Sequence, residues 1–240
     1  MRYLILNADD FGQSKGINQG IMECFEHGIV TSASLMVRWP AAREAGIYAR
    51  ENPDLSVGLH VDLGEWRNLG GDWKAIYQVA PLDDEDAVRE EVERQMEAFG
   101  TLVGANPSHL DSHQHVHLRE PVRSVLRGLA RELGVPLRHE TAEIQYCGGF
   151  YGQSSDGQSV PDPISPDGLL NLLGRIEAPI TELACHPGRS DKLDTMYRDE
   201  REIEVRTLTD PVVRSGLDEM SIRLCSFRSL PLDIETTKPT

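Results

Sequence analysis

The sequence predicts one barrel-like α/β domain that covers residues 1–240, with a polar tail from about 229 to 240. Short apolar runs typical of buried strands alternate with helical patterns, and no break in composition divides the chain. Alternation of this kind favours a mostly parallel sheet covered by helices. Barrels of this class commonly need only ~200–250 residues as a single unit. A doubly wound open sheet is the rival fold, but no glycine-rich nucleotide turn follows the first predicted strand.

The first strand-helix unit sets the pattern for the rest. Residues 3–6 are continuously apolar, as in a buried parallel strand, and Asp9 and Asp10 follow them. Ser14 is a preferred N-cap residue, and Gly28 can end the helix that begins there. Further strands are predicted at 32–37, 56–59, 109–117 with its exit loop, 136–139, 180–185 and 222–227. Further helices are predicted at 41–50, 83–99, 121–133 and from Ser165 onward.

Two longer segments carry no predicted helix or strand. Residues 64–81 contain glycines together with Trp66, Trp73 and Tyr77, and we expect a long loop there. These aromatic side chains could stack on sugar faces as a lid, or could pack on the rim of the barrel. Residues 147–163 are rich in glycine, serine and proline and are also predicted to be a loop.

Composition excludes several classes of protein. The formal net charge is −15, from 39 acidic and 24 basic residues, and this charge repels nucleic acids and anionic lipids. No run of about 18 apolar residues occurs, so no membrane span is expected. Four widely spaced cysteines with no C-x-x-C pair are typical of buried thiols in a reducing compartment. We therefore expect a cytoplasmic protein without nucleic-acid or membrane partners, and a homodimer is one assembly it could form.

The stretch HLDSHQHVH, residues 109–117, places ionisable side chains at every second position. In a strand these five side chains would share one face, since successive residues point to opposite sides. Several such groups are tolerated in a parallel barrel mainly at the open carboxyl end of a strand. The spacing therefore predicts a polar cavity lined by His109, Asp111, His113, His115 and His117.

Other polar residues also follow predicted strands: Asp9 and Asp10 the first, His60 the third, and His186 a late one. Each could be structural by itself, as a helix cap, a hydrogen-bonded histidine or a turn. Gathering carboxylates and imidazoles without a cation costs several kcal/mol. The pattern thus indicates a divalent metal site, at which zinc, magnesium, manganese and iron(II) all remain open.

Six segments taken together resemble a known family. NADDFG (7–12), SKGIN (14–18), GLHVDL (58–63), SHLDSHQHVH (108–117), GFYG (149–152) and CHPG (185–188) occur in the order seen in the YdjC-like carbohydrate deacetylases. The resemblance runs from residue 2 to about residue 228 and implies a distorted (β/α) barrel related to the polysaccharide deacetylases. Gln114 departs from relatives that carry another histidine there, and the segment after Trp66 is less similar.

The resemblance also implies roles for individual residues. Asp10, His60 and His113 would hold one divalent cation, with magnesium or zinc favoured, and Asp9 would be the general base. His186 would be the general acid, as an imidazolium. His109 and Asp111 would lie behind the metal ligands and orient them, and His115 and His117 would have supporting roles.

The implied reaction is hydrolysis of the N-acetyl group of an amino sugar or short N-acetylated oligosaccharide, with release of acetate. The sequence leaves two alternatives open. One is a binuclear metallohydrolase acting on phosphoesters or cyclic amides, with ions ~3.5–4 Å apart. The other is a non-catalytic sugar-binding relative, although binding alone would need neither Asp9 nor His186.

Overall fold

The fold is seen in a computed structural model of the chain, which describes residues 1–190 and 195–230. Residues 231–240 of the predicted tail lie outside the described residues. The strands are β1 (Arg2–Phe11), β2 (Ser32–Leu35), β3 (Ser56–Val61), β4 (Gly64–Leu69), β5 (Asp72–Gln78), β6 (Leu110–Ser112), β7 (Gln145–Cys147), β8 (Ile180–Cys185) and β9 (Ile222–Leu224). The α-helices are α1 (Lys15–Glu26), α2 (Ala42–Glu51), α3 (Glu85–Val103), α4 (Val122–Leu133), α5 (Pro166–Leu173), α6 (Asp199–Leu208) and α7 (Pro211–Glu219).

Seven of the strands form one curled sheet in the order β6-β3-β2-β1-β8-β7, and β9 pairs with the start of β1. Every pairing between these strands is parallel. The predicted mostly parallel, distorted α/β barrel is thus confirmed as an open half-barrel with helices packed against the sheet. Parallel strands bring all their carboxyl ends to one edge, which is where the polar side chains of this chain collect.

The central strand is held tightly by the helix that follows it. Ser14 caps α1, as predicted, because its hydroxyl accepts a hydrogen bond of 3.2 Å from the amide of Ile17. Gly20 faces the turn after β8 so closely that a Cβ there would lie 2.4 Å from the Cα of Gly188. A larger residue at position 20 would therefore push the turn that carries His186 away from β1.

The prediction of a long loop over residues 64–81 is wrong. Residues Gly64–Leu69 and Asp72–Gln78 pair as an antiparallel hairpin closed by Gly70 and Gly71, which both have positive φ. A two-residue Gly-Gly connection between strand-like runs is itself a hairpin signal. The segment is therefore an ordered flap beside the sheet.

The prediction that residues 109–117 share one face holds only for the first part of the stretch. β6 ends at Ser112, and residues His113–Leu118 form a 3-10 helix in which Gln114 and His115 have left-handed φ values of 50° and 53°. Alternation stops where the strand stops, so His113, His115 and His117 diverge.

Two helices between 195 and 222 were not predicted, namely α6 and α7. The strand expected at 136–139 is reduced to a single parallel bridge between Leu110 and Leu137. Loop was predicted correctly for most of 147–163, apart from the short 3-10 turn Asp162–Ile164. None of the helices within 1–190 and 195–230 is long and apolar enough to cross a membrane.

Candidate metal centre and active site

The carboxyl edge of the sheet opens into a cleft of about 370 Å³. Asp9 and Asp10 lie near the end of β1, inside the strand and not after it as predicted, and His60 lies in β3. His113 begins the 3-10 helix after β6, and His186 directly follows β8. All five line the cleft, so the structure brings these residues together from four strands.

Asp10, His60 and His113 form a group whose ligand atoms lie within 4.8 Å of one another. The Oδ1 atom of Asp10 is 3.1 Å from Nδ1 of His113 and 3.5 Å from Nε2 of His60. A carboxylate and two imidazoles suit several divalent ions and leave positions open for water and substrate. The donor set therefore fits the metal that the sequence implied.

A buried carboxylate orients His60 from behind. The Oδ1 atom of Asp111 is 2.7 Å from Nδ1 of His60, which turns Nε2 of the ring toward Asp10. Metal-bound histidines are usually held in this way by a second carboxylate. Burial lowers the pKa of His60, but the surrounding carboxylates outweigh it, Asp111 first, and raise the pKa to about 9. This excess of negative charge is what attracts a cation to the site.

The other oxygen of Asp10 is already occupied. The Arg201 guanidinium on α6 donates a 2.6 Å hydrogen bond to Oδ2 of Asp10. Burial alone would raise the pKa of Asp10, but Arg201 and His113 hold it well below its usual range. Asp10 is therefore ionised and offers Oδ1 alone toward His60 and His113.

Asp9 sits beside this group and is fixed by a buried arginine. Arg138 Nη1 donates to Oδ2 of Asp9 at 2.7 Å and Nη2 donates to Oδ1 at 2.8 Å, and Asn7 donates a further hydrogen bond to Oδ1 at 2.8 Å. Burial raises the pKa of Asp9, but the charge and the hydrogen bonds of Arg138, together with the charge of His60, outweigh it, and the net shift of the pKa is downward. Asp9 is thus an ionised carboxylate with a fixed orientation.

Arg138 was missed by the sequence analysis, although its side chain is fully buried. It also contacts Asp111 at 2.8 Å and Glu182 at 2.7 Å, so one guanidinium joins three carboxylates. Burying a charge is tolerated only when it is paired. No local pattern marks a lone arginine between Leu137 and His139, and only the tertiary contacts reveal it.

His186 faces Asp9 across the cleft, with its Nε2 atom 3.9 Å from Oδ2 of Asp9. Its backbone amide donates to buried Glu204 at 2.5 Å, and the rings of Tyr151 and Tyr197 lie 5.5 and 5.4 Å from its own. Burial lowers the pKa of His186 to about 4, against the opposing effect of Asp9 and Asp10. At neutral pH the ring is therefore neutral, and it must gain a proton before it can act as the imidazolium that the sequence predicts.

The remaining histidines of the stretch 109–117 do not belong to the group formed by Asp10, His60 and His113. His109 lies 3.0 Å from the hydroxyl of Ser34, which donates to Asp111 at 2.7 Å, and its ring stacks on Phe227. A Cβ at Gly58 would lie 2.4 Å from this ring, so glycine makes room for it. His115 and His117 turn the other way, toward Tyr146 and the carbonyl of Arg138.

Of the three aromatic residues predicted to touch substrate, only Trp66 lines the cleft. Its backbone exchanges two 2.8 Å hydrogen bonds with the side chain of Gln114, which ties the flap to the turn after His113. Trp73 is 56% exposed, and Tyr77 donates to Asp62 at 2.9 Å. The structure therefore does not bring Trp73 and Tyr77 to the cleft. Aromatic cleft residues that the sequence analysis missed are Tyr146, Phe150, Tyr151 and Tyr197.

Comparisons with known proteins identify full-length relatives of this chain. A chitooligosaccharide deacetylase from Serratia marcescens is 32% identical, with 95% of this chain and 99% of that protein covered. A carbohydrate deacetylase from Geobacillus stearothermophilus is also 32% identical, with 95% and 97% covered. Another carbohydrate deacetylase, from Clostridium beijerinckii, is 34% identical, with 95% and 99% covered.

Solved structures show the same fold. A crystal structure from Enterococcus faecalis V583, of a candidate cellobiose-phosphate cleavage protein, has a TM-score of 0.76 at 27% identity and covers 95% of this chain and 98% of its own. A family 4 carbohydrate esterase from Streptomyces lividans has a TM-score of 0.54 at 12% identity, with 94% and 91% covered. The model of the YdjC-like protein family matches residues 3–219. The chain therefore belongs to the YdjC-like family.

Proposed function

We propose that this protein is a carbohydrate deacetylase that removes an N-acetyl group from an amino sugar or short N-acetylated oligosaccharide and releases acetate. The observation that carries the proposal is that Asp9 and His186, whose Oδ2 and Nε2 atoms are 3.9 Å apart, line the same cleft as the group formed by Asp10, His60 and His113. The names of the full-length relatives support the same reaction class.

Asp10, His60 and His113 would hold one divalent ion, with zinc and magnesium the first candidates. Such an ion lowers the pKa of a water molecule and polarises an amide carbonyl. His113 supports the assignment, since its buried Nε2 atom has no hydrogen-bond partner among the residues the structure describes. Asp111 and Arg201 would hold His60 and Asp10 in the geometry that binding requires.

Asp9 is the group best placed to accept a proton. Arg138 and Asn7 fix both of its oxygens, yet Oδ2 still faces His186 across the cleft at 3.9 Å. A general base needs a fixed position within reach of the attacking water more than it needs high basicity. In this proposal Asp9 orients the water and takes its proton.

His186 would deliver a proton to the departing amine. Because its pKa is lowered to about 4 by burial, it must receive that proton during the reaction and does not carry it beforehand. Asp9 is the adjacent carboxylate from which the proton can move to Nε2. The backbone hydrogen bond to Glu204 keeps the imidazole at the cleft wall while this occurs.

The cleft has the size and lining that a sugar requires. Its volume of about 370 Å³ falls in the range of small-molecule sites, and aromatic rings cover much of its wall. Trp66 and Tyr151 both line it, and aromatic rings pack well against the apolar C–H faces of sugars. Glu65 and Arg67 at the rim offer polar partners for hydroxyl groups.

The structure gives less support to a binuclear hydrolase. Asp9, His60 and Asp111 form a second acidic group beside the first, but Arg138 already donates to both of its carboxylates. The guanidinium thus takes the place that a second cation would need.

Free thiols at Cys24, Cys147, Cys185 and Cys225 support a reducing compartment such as the cytoplasm.

The proposal is tested by acetate release. Protein stripped with a chelator is assayed on N-acetylglucosamine and its short oligomers, and Zn²⁺, Mg²⁺, Mn²⁺ or Co²⁺ is then added back singly. We expect acetate release to disappear after stripping and to return with at least one of the ions. Replacement of exposed His27 by alanine is a matched control and should behave as wild type. Acetate release that survives complete removal of metal would contradict the mechanism.

A further inference from the structure

A second histidine group lies apart from the first. His115, His117 and His139 place one ring nitrogen each within 4.8 Å of the others, and the group shares no residue with Asp10, His60 and His113. The deacetylase mechanism uses none of the three. Two of them come from the 3-10 helix after β6, and the third follows buried Arg138.

The spacing of the rings suits a common ligand. Centroid distances are 5.2 Å for His115–His139, 5.8 Å for His117–His139 and 5.9 Å for His115–His117. Three imidazoles around a tetrahedral ion with metal–nitrogen bonds of ~2.0–2.1 Å would have centroids about 5 Å apart. The rings of His60 and His113, in the first group, are separated by a similar 5.7 Å.

Backbone strain brings these rings together. His115 and His139 have left-handed φ values of 53° and 65°, and Gln114 has 50°. This conformation costs roughly 1–2 kcal/mol for each residue that is not glycine. Non-glycine residues held in such conformations are concentrated at functional sites.

The rings of His115 and His117 also have hydrogen-bond partners that could orient them toward a metal ion. Nδ1 of His115 is buried and makes no hydrogen bond to any part of the chain that the structure describes, while Nε2 lies 3.2 Å from the hydroxyl of Tyr146. If Nε2 donates to Tyr146, the Nδ1 lone pair is free. Nδ1 of His117 lies 2.6 Å from the hydroxyl of Ser112 and Nε2 lies 3.2 Å from the carbonyl oxygen of Arg138, so a metal bound at Nε2 would replace the contact with that carbonyl. Outer partners of this kind commonly orient histidines that bind metal.

The positive charge of the Arg138 guanidinium acts against a cation at this group. Arg138 lies close, but it is paired with the three carboxylates of Asp9, Asp111 and Glu182. The carboxylates of Asp9 and Asp111, whose pKa values are lowered, offset part of this charge. No carboxylate belongs to the group itself, and an all-imidazole set favours zinc, copper, nickel or iron over magnesium and calcium.

We propose that His115, His117 and His139 bind a second ion, a transition metal such as Zn²⁺, which joins the turn after His113 to the segment after Arg138. This group shares no residue with Asp10, His60 and His113, although His115 also lines the cleft. The proposal does not depend on the deacetylase activity.

Zinc stoichiometry tests the second site. Full-length protein is stripped, dialysed against Zn²⁺ and measured by mass spectrometry for bound metal. Wild type should bind two ions, His139→Ala one, Asp10→Asn one, and the double variant none. His27→Ala controls for loss of an exposed histidine and should bind two. Equal zinc content in His139→Ala and wild type, or a single ion that only Asp10→Asn removes, would overturn the proposal.

The two proposals can fail separately. One ion that is lost in His139→Ala but kept in Asp10→Asn would support the second site and contradict the first. A rescue variant removes the ambiguity of a folding defect, since His139→Cys should bind two Co²⁺ ions and show a thiolate-to-cobalt absorption band. A His139→Cys protein that binds cobalt without this band would show that position 139 is not a ligand.

Discussion

The two histidine groups, which both draw residues from the stretch 113–117, have opposite electrostatic surroundings. Around His60, buried carboxylates overcome the effect of burial and raise the pKa to about 9. Around His115, burial and then the charge of Arg138 lower the pKa to about 3. Residue type alone therefore does not decide what a histidine does, and the charge of its neighbours sets the chemistry.

The two groups are separated by a change in backbone conformation directly after β6. Asp111 is still in β6 and faces His60, whereas the chain turns left-handed at Gln114 and carries His115 and His117 toward Tyr146. Arg138 lies between the groups and pairs with the carboxylates of the first. The first group is acidic and open to the cleft, and the second consists of imidazoles that we expect to be neutral.

The largest effect should come from the acidic group. Asp10→Asn removes the carboxylate that faces both His60 and His113, so we expect a loss of deacetylation beyond the ~10²–10⁴-fold typical of a missing general acid or base. Acetate release and metal content should fall together. If metal is lost while turnover persists, the group formed by Asp10, His60 and His113 does not hold a catalytic metal. The functional difference proposed between the two histidine groups would then be wrong.

A smaller loss is expected at the opposite cleft wall. His186→Ala should lower turnover by about 10²–10⁴-fold, because the departing amine loses its proton donor. Metal content should remain at the wild-type level, since His186 belongs to neither histidine group. A drop in bound metal would instead make His186 a ligand and exchange the assigned roles.

The protonation state of Glu182, which pairs with Arg138, can be probed through protein stability. Burial raises the pKa of Glu182 to about 7, despite its pairing with Arg138, so the folded state holds a proton that the unfolded chain releases at lower pH. Wild-type stability should decline relative to Glu182→Gln as the pH rises from about 4.5 through about 7, by on the order of 3 kcal/mol. Urea unfolding at a series of pH values measures this difference. A difference that does not vary with pH would show that Glu182 is ionised throughout.

The weakest expected effect concerns the flap. Trp66→Ala should raise the Michaelis constant several-fold, since an aromatic contact is worth about 0.5–1.5 kcal/mol beyond its buried area. Trp73→Ala is the matched control, because Trp73 lies on the same hairpin but not in the cleft. Steady-state kinetics on one N-acetylated disaccharide compares them. Equal Michaelis constants for the two variants would remove Trp66 from the substrate site.

Much of the fold was predictable because its signals are local. The apolar run of β1, the Ser14 cap of α1 and the strand that precedes His186 follow directly from residue pattern. The hairpin was also predictable, since Gly70 and Gly71 separate two strand-like runs, but the long-loop interpretation overlooked that signal.

Helix α6 was missed for a physical reason. Its sequence, DEREIEVRTL, has no continuous apolar stripe, and it buries charged residues such as Arg201 and Glu204. Those side chains are stabilised by tertiary partners, Asp10 for Arg201 and the Tyr197 hydroxyl for Glu204. Hydrophobic periodicity cannot reveal a helix whose inner face is held by charge pairs.

Some residues of the candidate site were likewise predictable from the sequence, and others were not. The residues that converge on the cleft were predictable, because parallel strands deliver their carboxyl ends to one edge. The divergence of His115 and His117 was not, since nothing in the sequence marks a left-handed turn at Gln114. Arg138 was hidden for a related reason, because its three carboxylate partners come from three other strands.

The most direct test of the metal centre is an anomalous difference map from crystals grown with zinc. The account predicts a peak at coordination distance, about 2.0–2.2 Å, from Asp10 Oδ1 and from one nitrogen each of His60 and His113. A map with no peak between these three residues at saturating zinc would contradict the central claim, as would a peak bound only by other side chains.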